Sequence, residues 1–203
     1  MIVAPATSGA HGIDTWLNLT SPACARLHSA GYAFAVQYLG RLTSVIRDAV
    51  LESGLALLAV TTCRKPGWAP SEDLGTRDGA DAVTYAQAAG LPEGMTLYLD
   101  FEGPGSGALA CAAHVDAWAH QVTGAGYVAG LYVGYGVPLT PAELYALAVT
   151  TYWHSCSDAP DVAVRGYAMT QLRPPNVHVC GVEVDLDTIH TDGRGETPPW
   201  LTA

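Results

Sequence analysis

Asp100 and Glu102 stand one residue apart at the end of the apolar run Met95-Thr96-Leu97-Tyr98-Leu99. If that run is a strand, residues i and i+2 point to one face about 6.5–7 Å apart, so the two carboxylates share a side. Two like charges held that close in a partly desolvated place raise the pKa of one of them, which keeps a carboxylic acid protonated near neutral pH. Such an acid can donate to a leaving oxygen, and glycoside hydrolysis runs on a carboxylate pair of this kind. More carboxylates close similar runs: Asp14 in Gly12-Ile13-Asp14-Thr15-Trp16, and Asp185 and Asp187 in Glu183-Val184-Asp185-Leu186-Asp187. Gln37, Tyr38, Tyr132, Tyr135, Trp153 and Gln171 fall near the ends of other runs, with Trp16 beside Asp14. Amides can hydrogen-bond sugar hydroxyls, and aromatic faces can pack on the apolar face of a pyranose.

These residues need a scaffold that gathers strand ends, and the order of elements supplies one. Short apolar runs with β-branched or aromatic residues alternate with longer Ala-rich stretches of helical character. Strands are predicted at His11–Trp16, Phe34–Gly40, Ala56–Cys63, Met95–Glu102, Val128–Tyr135, Thr151–Cys156, Gly166–Leu172 and Val182–Asp187. Helices are predicted at Ser21–Ala30, Thr43–Ser53, Asp78–Ala89, Leu109–Thr123 and Pro141–Val149, with Gly31, Gly54 and Gly90 placed as C-caps. Eight strands alternating with helices in 203 residues predict an α/β fold. The arrangement expected is a small (β/α)8 TIM-like barrel with the last helices shortened or missing, forming one domain over 1–203. A doubly wound open sheet is the other arrangement with this order. In a barrel, active sites lie at the C-terminal ends of the strands, where the carboxylates fall.

Composition narrows the partners. Nine Lys+Arg against 19 Asp+Glu leave a net charge of -10, which opposes the counterion-release attraction behind nucleic-acid binding. No uninterrupted run approaches the roughly 18 apolar residues of a membrane span. The first basic residue is Arg26, so the N-terminus lacks the charged region of a signal peptide and synthesis in the cytoplasm is expected. Cys24, Cys63, Cys111, Cys156 and Cys180 are widely spaced, with no C-x-x-C pair, and read mostly as buried small hydrophobes in a reducing compartment.

The motifs together resemble a known family. Gly12-Ile13-Asp14, Leu99-Asp100-Phe101-Glu102, Trp153, Thr170-Gln171-Leu172 and Val184-Asp185-Leu186-Asp187 look like family 25 glycoside hydrolases, the lysozyme-like muramidases of bacteria and phages. The stretches Leu42-Thr43, Glu52-Ser53-Gly54-Leu55 and Leu91-Pro92-Glu93-Gly94-Met95 resemble more closely the related glycoside-hydrolase-like barrel called domain of unknown function 1906. The resemblance implies that Glu102 is the general acid/base. Asp100 would stabilise the oxocarbenium-like centre or orient the substrate's N-acetyl group, with Asp14 and Asp185 flanking the pair. Trp153, Tyr38, Gln37, Tyr132, Gln171 and Asp187 would contact substrate. The substrate implied is the glycan strand of peptidoglycan, reached by phage-, injection- or secretion-mediated delivery with a partner protein, and no cofactor is called for. Asp187 stands where the muramidases usually have Asn, and is either an extra charge in the site or a surface residue.

Two other readings use the same residues. One is a catalytically silent carbohydrate-binding barrel. The other is a metal-dependent hydrolase in which Asp14, Asp100, Glu102, Asp185 and a nearby His ligate a hard cation. Gly103-Pro104-Gly105-Ser106-Gly107 has the wrong spacing for a dinucleotide loop and reads as a mobile loop over the site. His114 and His120 lack H-E-x-x-H spacing and are expected to be exposed.

Overall fold

The computed structural model describes residues 1–203. Its strands are β1 (Ile2–Pro5), β2 (His11–Thr15), β3 (Phe34–Tyr38), β4 (Ala56–Val60), β5 (Thr96–Phe101), β6 (Val128–Val133), β7 (Thr151–His154), β8 (Met169–Gln171), β9 (Val177–Val179), β10 (Val182–Ile189) and β11 (Pro199–Thr202). The helices are α1 (Ser21–Ser29), α2 (Ser44–Glu52), α3 (Glu72–Ala88), α4 (Ala108–Gly124) and α5 (Pro141–Ala146). Strands β2 to β8 lie side by side in parallel, and β10 closes the ring between β8 and β2. The result is a closed eight-stranded α/β barrel of the TIM-like kind, and all eight predicted strands are present in it.

The closing strand departs from the expectation of eight parallel strands. β10 is antiparallel to both neighbours, pairing Asp185 with Asp14, and Asp187 with Gly12 on one side and Gln171 on the other. Only the short β9 excursion separates β8 from β10, and a parallel return would need a crossover of about a dozen residues or more. The start of β10, not its end, therefore reaches the barrel mouth. Asp185 lies near the rim, while Asp187 sits deeper than its place near the predicted strand's end implied.

Alternation along the strands separates two cores. Phe34, Val36, Leu58, Val60, Tyr98, Trp153, Met169 and Ile189 fill the barrel interior, and Trp200 with Ala6 closes its floor. Ile13, Ala35, Leu57, Leu97, Leu99, Phe101 and Leu131 face outward into the helix layer. Trp200 belongs to β11, which pairs with β1 and touches β4 at Leu57, so the two chain ends form a lid on the floor.

The helices follow the capping logic, with Gly31, Gly54 and Gly90 at positive φ just past α1, α2 and α3. α3 begins at Glu72, two turns before the predicted Asp78, because Ser71 caps it by accepting from the Leu74 N–H. Gly75 and Gly79 mask that start, since glycine lowers helix propensity, but they let α4 approach closely: a Cβ at Gly75 would lie 2.2 Å from the His114 carbonyl oxygen. His114 is consequently fully buried, contrary to expectation, with Nδ1 3.2 Å from the Ser71 carbonyl oxygen. No helix is long and apolar enough to cross a membrane. The five cysteines are unpaired; Cys24 and Cys111 are buried, but Cys63 is exposed and Cys156 and Cys180 are half-buried.

Candidate active site

At the mouth, β5 presents Asp100 and, one residue past its end, Glu102. Burial and alternation put Tyr98, Asp100 and Glu102 on the inner face. Asp100 is buried, its backbone N–H donates to Thr61 Oγ1 at 2.9 Å, and its Oδ1 has no hydrogen-bond partner. Glu102 is half-buried and open to the mouth. Burial, then the charges of Glu102 and Asp14, hold Asp100 well above the usual carboxylate range, and burial pushes Glu102 up as well. The pair thus keeps a proton that two solvated carboxylates would have lost. Glycine makes the room: a Cβ on Gly134 would fall 2.2 Å from Glu102 Cβ and 2.8 Å from its Oε2.

Across the mouth, Gln171 on β8 ties the flanking carboxylates together. Its Nε2 donates to Asp14 Oδ2 at 2.8 Å and to Asp185 Oδ2 at 3.0 Å. The amide cannot be turned over, because its Oε1 accepts from the Tyr132 hydroxyl at 3.0 Å and the Cys156 N–H at 3.1 Å. Asp185 also accepts from the Asn176 N–H. Burial, then the Asp185 charge, raises Asp14 to about 7 against the lowering effect of the Gln171 and Asp187 hydrogen bonds. Gln171 and Tyr132 are thus bonded to each other and, through the amide, to Asp14 and Asp185 at the mouth.

Three expected substrate contacts are relocated. Gln37 lies on the outward face of β3 with Ala35, is 3% exposed, and donates to the Thr15 and Val36 carbonyl oxygens; strand alternation turns it away from the mouth. Trp153 is 1% exposed inside the barrel, edge-on to Tyr98 and Tyr132, so it offers no face to a sugar. Asp187 is 0% exposed, which overturns both a surface place and direct substrate contact; its Oδ1 accepts from Trp153 Nε1 at 3.0 Å. At the rim proper, Trp16 is 48% and Tyr135 40% exposed, and Tyr38 is half-buried with its ring 5.0 Å from that of Trp16.

Sequence reasoning missed Trp68. Its Nε1 donates to the Glu102 carbonyl oxygen at 2.9 Å and its ring packs edge-on against Phe101. The Gly103–Gly107 loop, expected to be mobile, is tied to the same segment: Gly67 N–H donates to the Gly103 carbonyl and Gly105 N–H to the Trp68 carbonyl, at 2.8 and 2.7 Å. The Trp in a Pro66-Gly67-Trp68 turn was the available signal. Beside this segment a cavity of about 320 Å³ runs from Asp100 past Thr61, Cys63 and Arg64 to Tyr85 on α3. No group of three His, Cys, Asp or Glu side chains is arranged so that it could hold a metal ion.

Residues 25–165 match the family described as Rv2525c-like, glycoside hydrolase-like domain. The chain belongs to that family. No protein of curated function matches the sequence. Among solved structures, the Tat-secreted protein Rv2525c of Mycobacterium tuberculosis, in complex with L-tartrate, superposes with a TM-score of 0.71 at 15% identity, covering 90% of this chain and 96% of that one. An uncharacterized B. stearothermophilus protein gives 0.70 at 19% identity, with coverage of 89% and 96%. A bacterial lysozyme from Streptomyces coelicolor gives 0.58 at 16% identity, with coverage of 91% and 93%. At such identities the likeness concerns the fold, and the fold is glycoside-hydrolase-like, as the sequence motifs implied.

Proposed function

We propose that the protein is a glycoside hydrolase that cleaves the glycan strand of bacterial peptidoglycan. The observation that carries this reading is the Asp100–Glu102 pair, set on one face of β5 at the mouth and holding a proton through burial. Glu102, the more exposed member and itself raised by burial, donates its own proton to the glycosidic oxygen as the bond to the anomeric carbon breaks, while Asp100 stays beneath it. Positive charge then develops on the sugar. Asp14, Asp100 and Asp185 line the same mouth with no basic side chain ion-paired to any of them, so whichever of them is ionised favours a cationic transition state. A same-strand separation of about 6.5–7 Å falls between the roughly 5–5.5 Å of direct carboxylate attack and the middle of the inverting range, so it does not choose between direct attack, an activated water and the sugar's own acetamido oxygen. Asp100 orients that group or stabilises the charge, and Trp16, Tyr38 and Tyr135 form a rim on which sugar rings stack.

A peptidoglycan substrate places the activity at the cell wall, after phage-, injection- or secretion-mediated delivery with a partner protein. The reading is tested by incubating the protein with purified peptidoglycan and assaying new reducing ends, with and without chelator. Release insensitive to chelator is expected. Glycan binding without release would point instead to a silent carbohydrate-binding barrel, and release abolished by chelator and restored by a divalent ion to metal-assisted hydrolysis.

A further inference from the structure

Asp187 is the most deeply buried carboxyl of the barrel, and half of it is unaccounted for. Oδ1 accepts from the Trp153 indole, but Oδ2 has no donor directed at it and no contact with solvent. An ionised carboxylate left in that state would carry a large desolvation penalty. The register of β10 on β2 places Asp187 diagonally below Asp14 on the inner face, and each carboxyl feels the other strongly enough to shift its pKa, so the two heads are placed to hydrogen-bond each other. Two carboxylates cannot do so unless one supplies a proton.

We propose that Asp187 is a permanently protonated carboxylic acid whose Oδ2–H donates to Asp14, making it a positioning residue that fixes the Asp14 carboxyl in the barrel mouth. Asp14 then has donors from two sides, Asp187 beneath and Gln171 Nε2 beside it. A protonated Asp presents one donor and one acceptor on a planar head, as Asn does, so the acid accepts from Trp153 and donates to Asp14 just as an amide would.

The groups facing Asp187 agree with this state. Asp14 on β2 and Asp185 on its own strand are both acidic, Tyr98 on β5 and Trp153 on β7 carry no charge, and Gln171 on β8 is neutral. No basic side chain is paired with it. Burial, then the charge of Asp14, holds its pKa well above the usual range.

The role assigned to Asp14 rests on the glycosidase reading, but the proton on Asp187 is measurable without turnover. In the infrared spectrum of the wild type, a protonated-carboxyl carbonyl band persisting above pH 7 is expected, and Asp187→Asn should remove its share of it. Asp187→Asn should fold and be at least as thermally stable as wild type, with an advantage that grows as pH rises, whereas Asp187→Leu, which leaves Asp14 without its donor, should melt lower. If the wild type hydrolyses glycan, Asp187→Asn, which keeps the donor and acceptor in place, should rescue what Asp187→Leu loses in kcat and leave the alkaline limb of the pH profile where it is. A difference spectrum with no protonated carboxyl assignable to Asp187, or an Asp187→Asn chain that fails to fold or melts as low as Asp187→Leu, would overturn the proposal. Absence of turnover in the wild type with the infrared result intact would fault the glycosidase reading alone.

Discussion

Gly134 holds no chemistry, yet it decides where Glu102 can be. With a Cβ position 2.2 Å from that of Glu102, even alanine there must push the carboxyl aside. Misplacing a catalytic group by about 1 Å can cost about 100-fold in rate. Gly134→Ala should therefore lower kcat by about that factor while the folded circular-dichroism spectrum is kept; wild-type turnover would show that Glu102 needs no such clearance. Asp14, Asp100, Glu102 and Asp185 were legible in the sequence because a carboxylate ending a buried strand is rarely there for stability. Gly134, Thr61 and Asn176 were not, since the first contributes by lacking a side chain, the second receives a backbone N–H, and the third acts through its own backbone N–H. Trp153 and Asp187 were identified as site residues but assigned the wrong contact. Type and strand position do not tell how deep in a barrel a side chain ends.

No helix follows α5, so other devices secure the last third of the barrel wall. Arg165, 8% exposed, reaches Asp192 Oδ2 at 2.6 Å and Glu196 Oε2 at 2.9 Å, pinning the β7–β8 connection to the segment that leads into β11. Asp192 Oδ1 in turn accepts from the Arg194 and Glu196 N–H groups. Arg165→Met would strand the Asp192 charge beneath the surface, and breaking one side of a buried pair costs about 3–5 kcal/mol. A loss of that size in urea unfolding is expected, and a loss below about 1 kcal/mol, as exposed pairs give, would deny the strut its role. The β/α alternation was readable because long amphipathic periods and apolar runs repeat. β1, β9 and β11 were not, being three or four residues long, with Pro5 and Pro199 at strand ends. The reversal of β10 was implicit in the short stretch between Gln171 and Val182, too brief for a helical crossover.

Taken as one molecule, the barrel concentrates acid on its inner face while carrying a net charge of -10. Asp14, Asp100, Glu102, Asp185 and Asp187 all have pKa values raised by burial. Each keeps its proton when folded at a pH where the unfolded chain has lost it, so its favourable contribution is full below about pH 4 and is lost as pH climbs through the folded value, about 7 for Asp14. Self-repulsion of the net charge acts in the same direction. The melting temperature should thus be higher at pH 5 than at pH 8, and the reverse order in a thermal scan would contradict these buried protons. Catalysis has the same sign, because a general acid must be protonated to act. The most direct test of that chemistry compares wild type with Glu102→Gln for reducing-end release and binding on the same peptidoglycan. Glu102→Gln should bind the glycan as wild type does and release reducing ends about 100- to 10,000-fold more slowly; release at the wild-type rate would contradict the assignment of Glu102 as the proton donor.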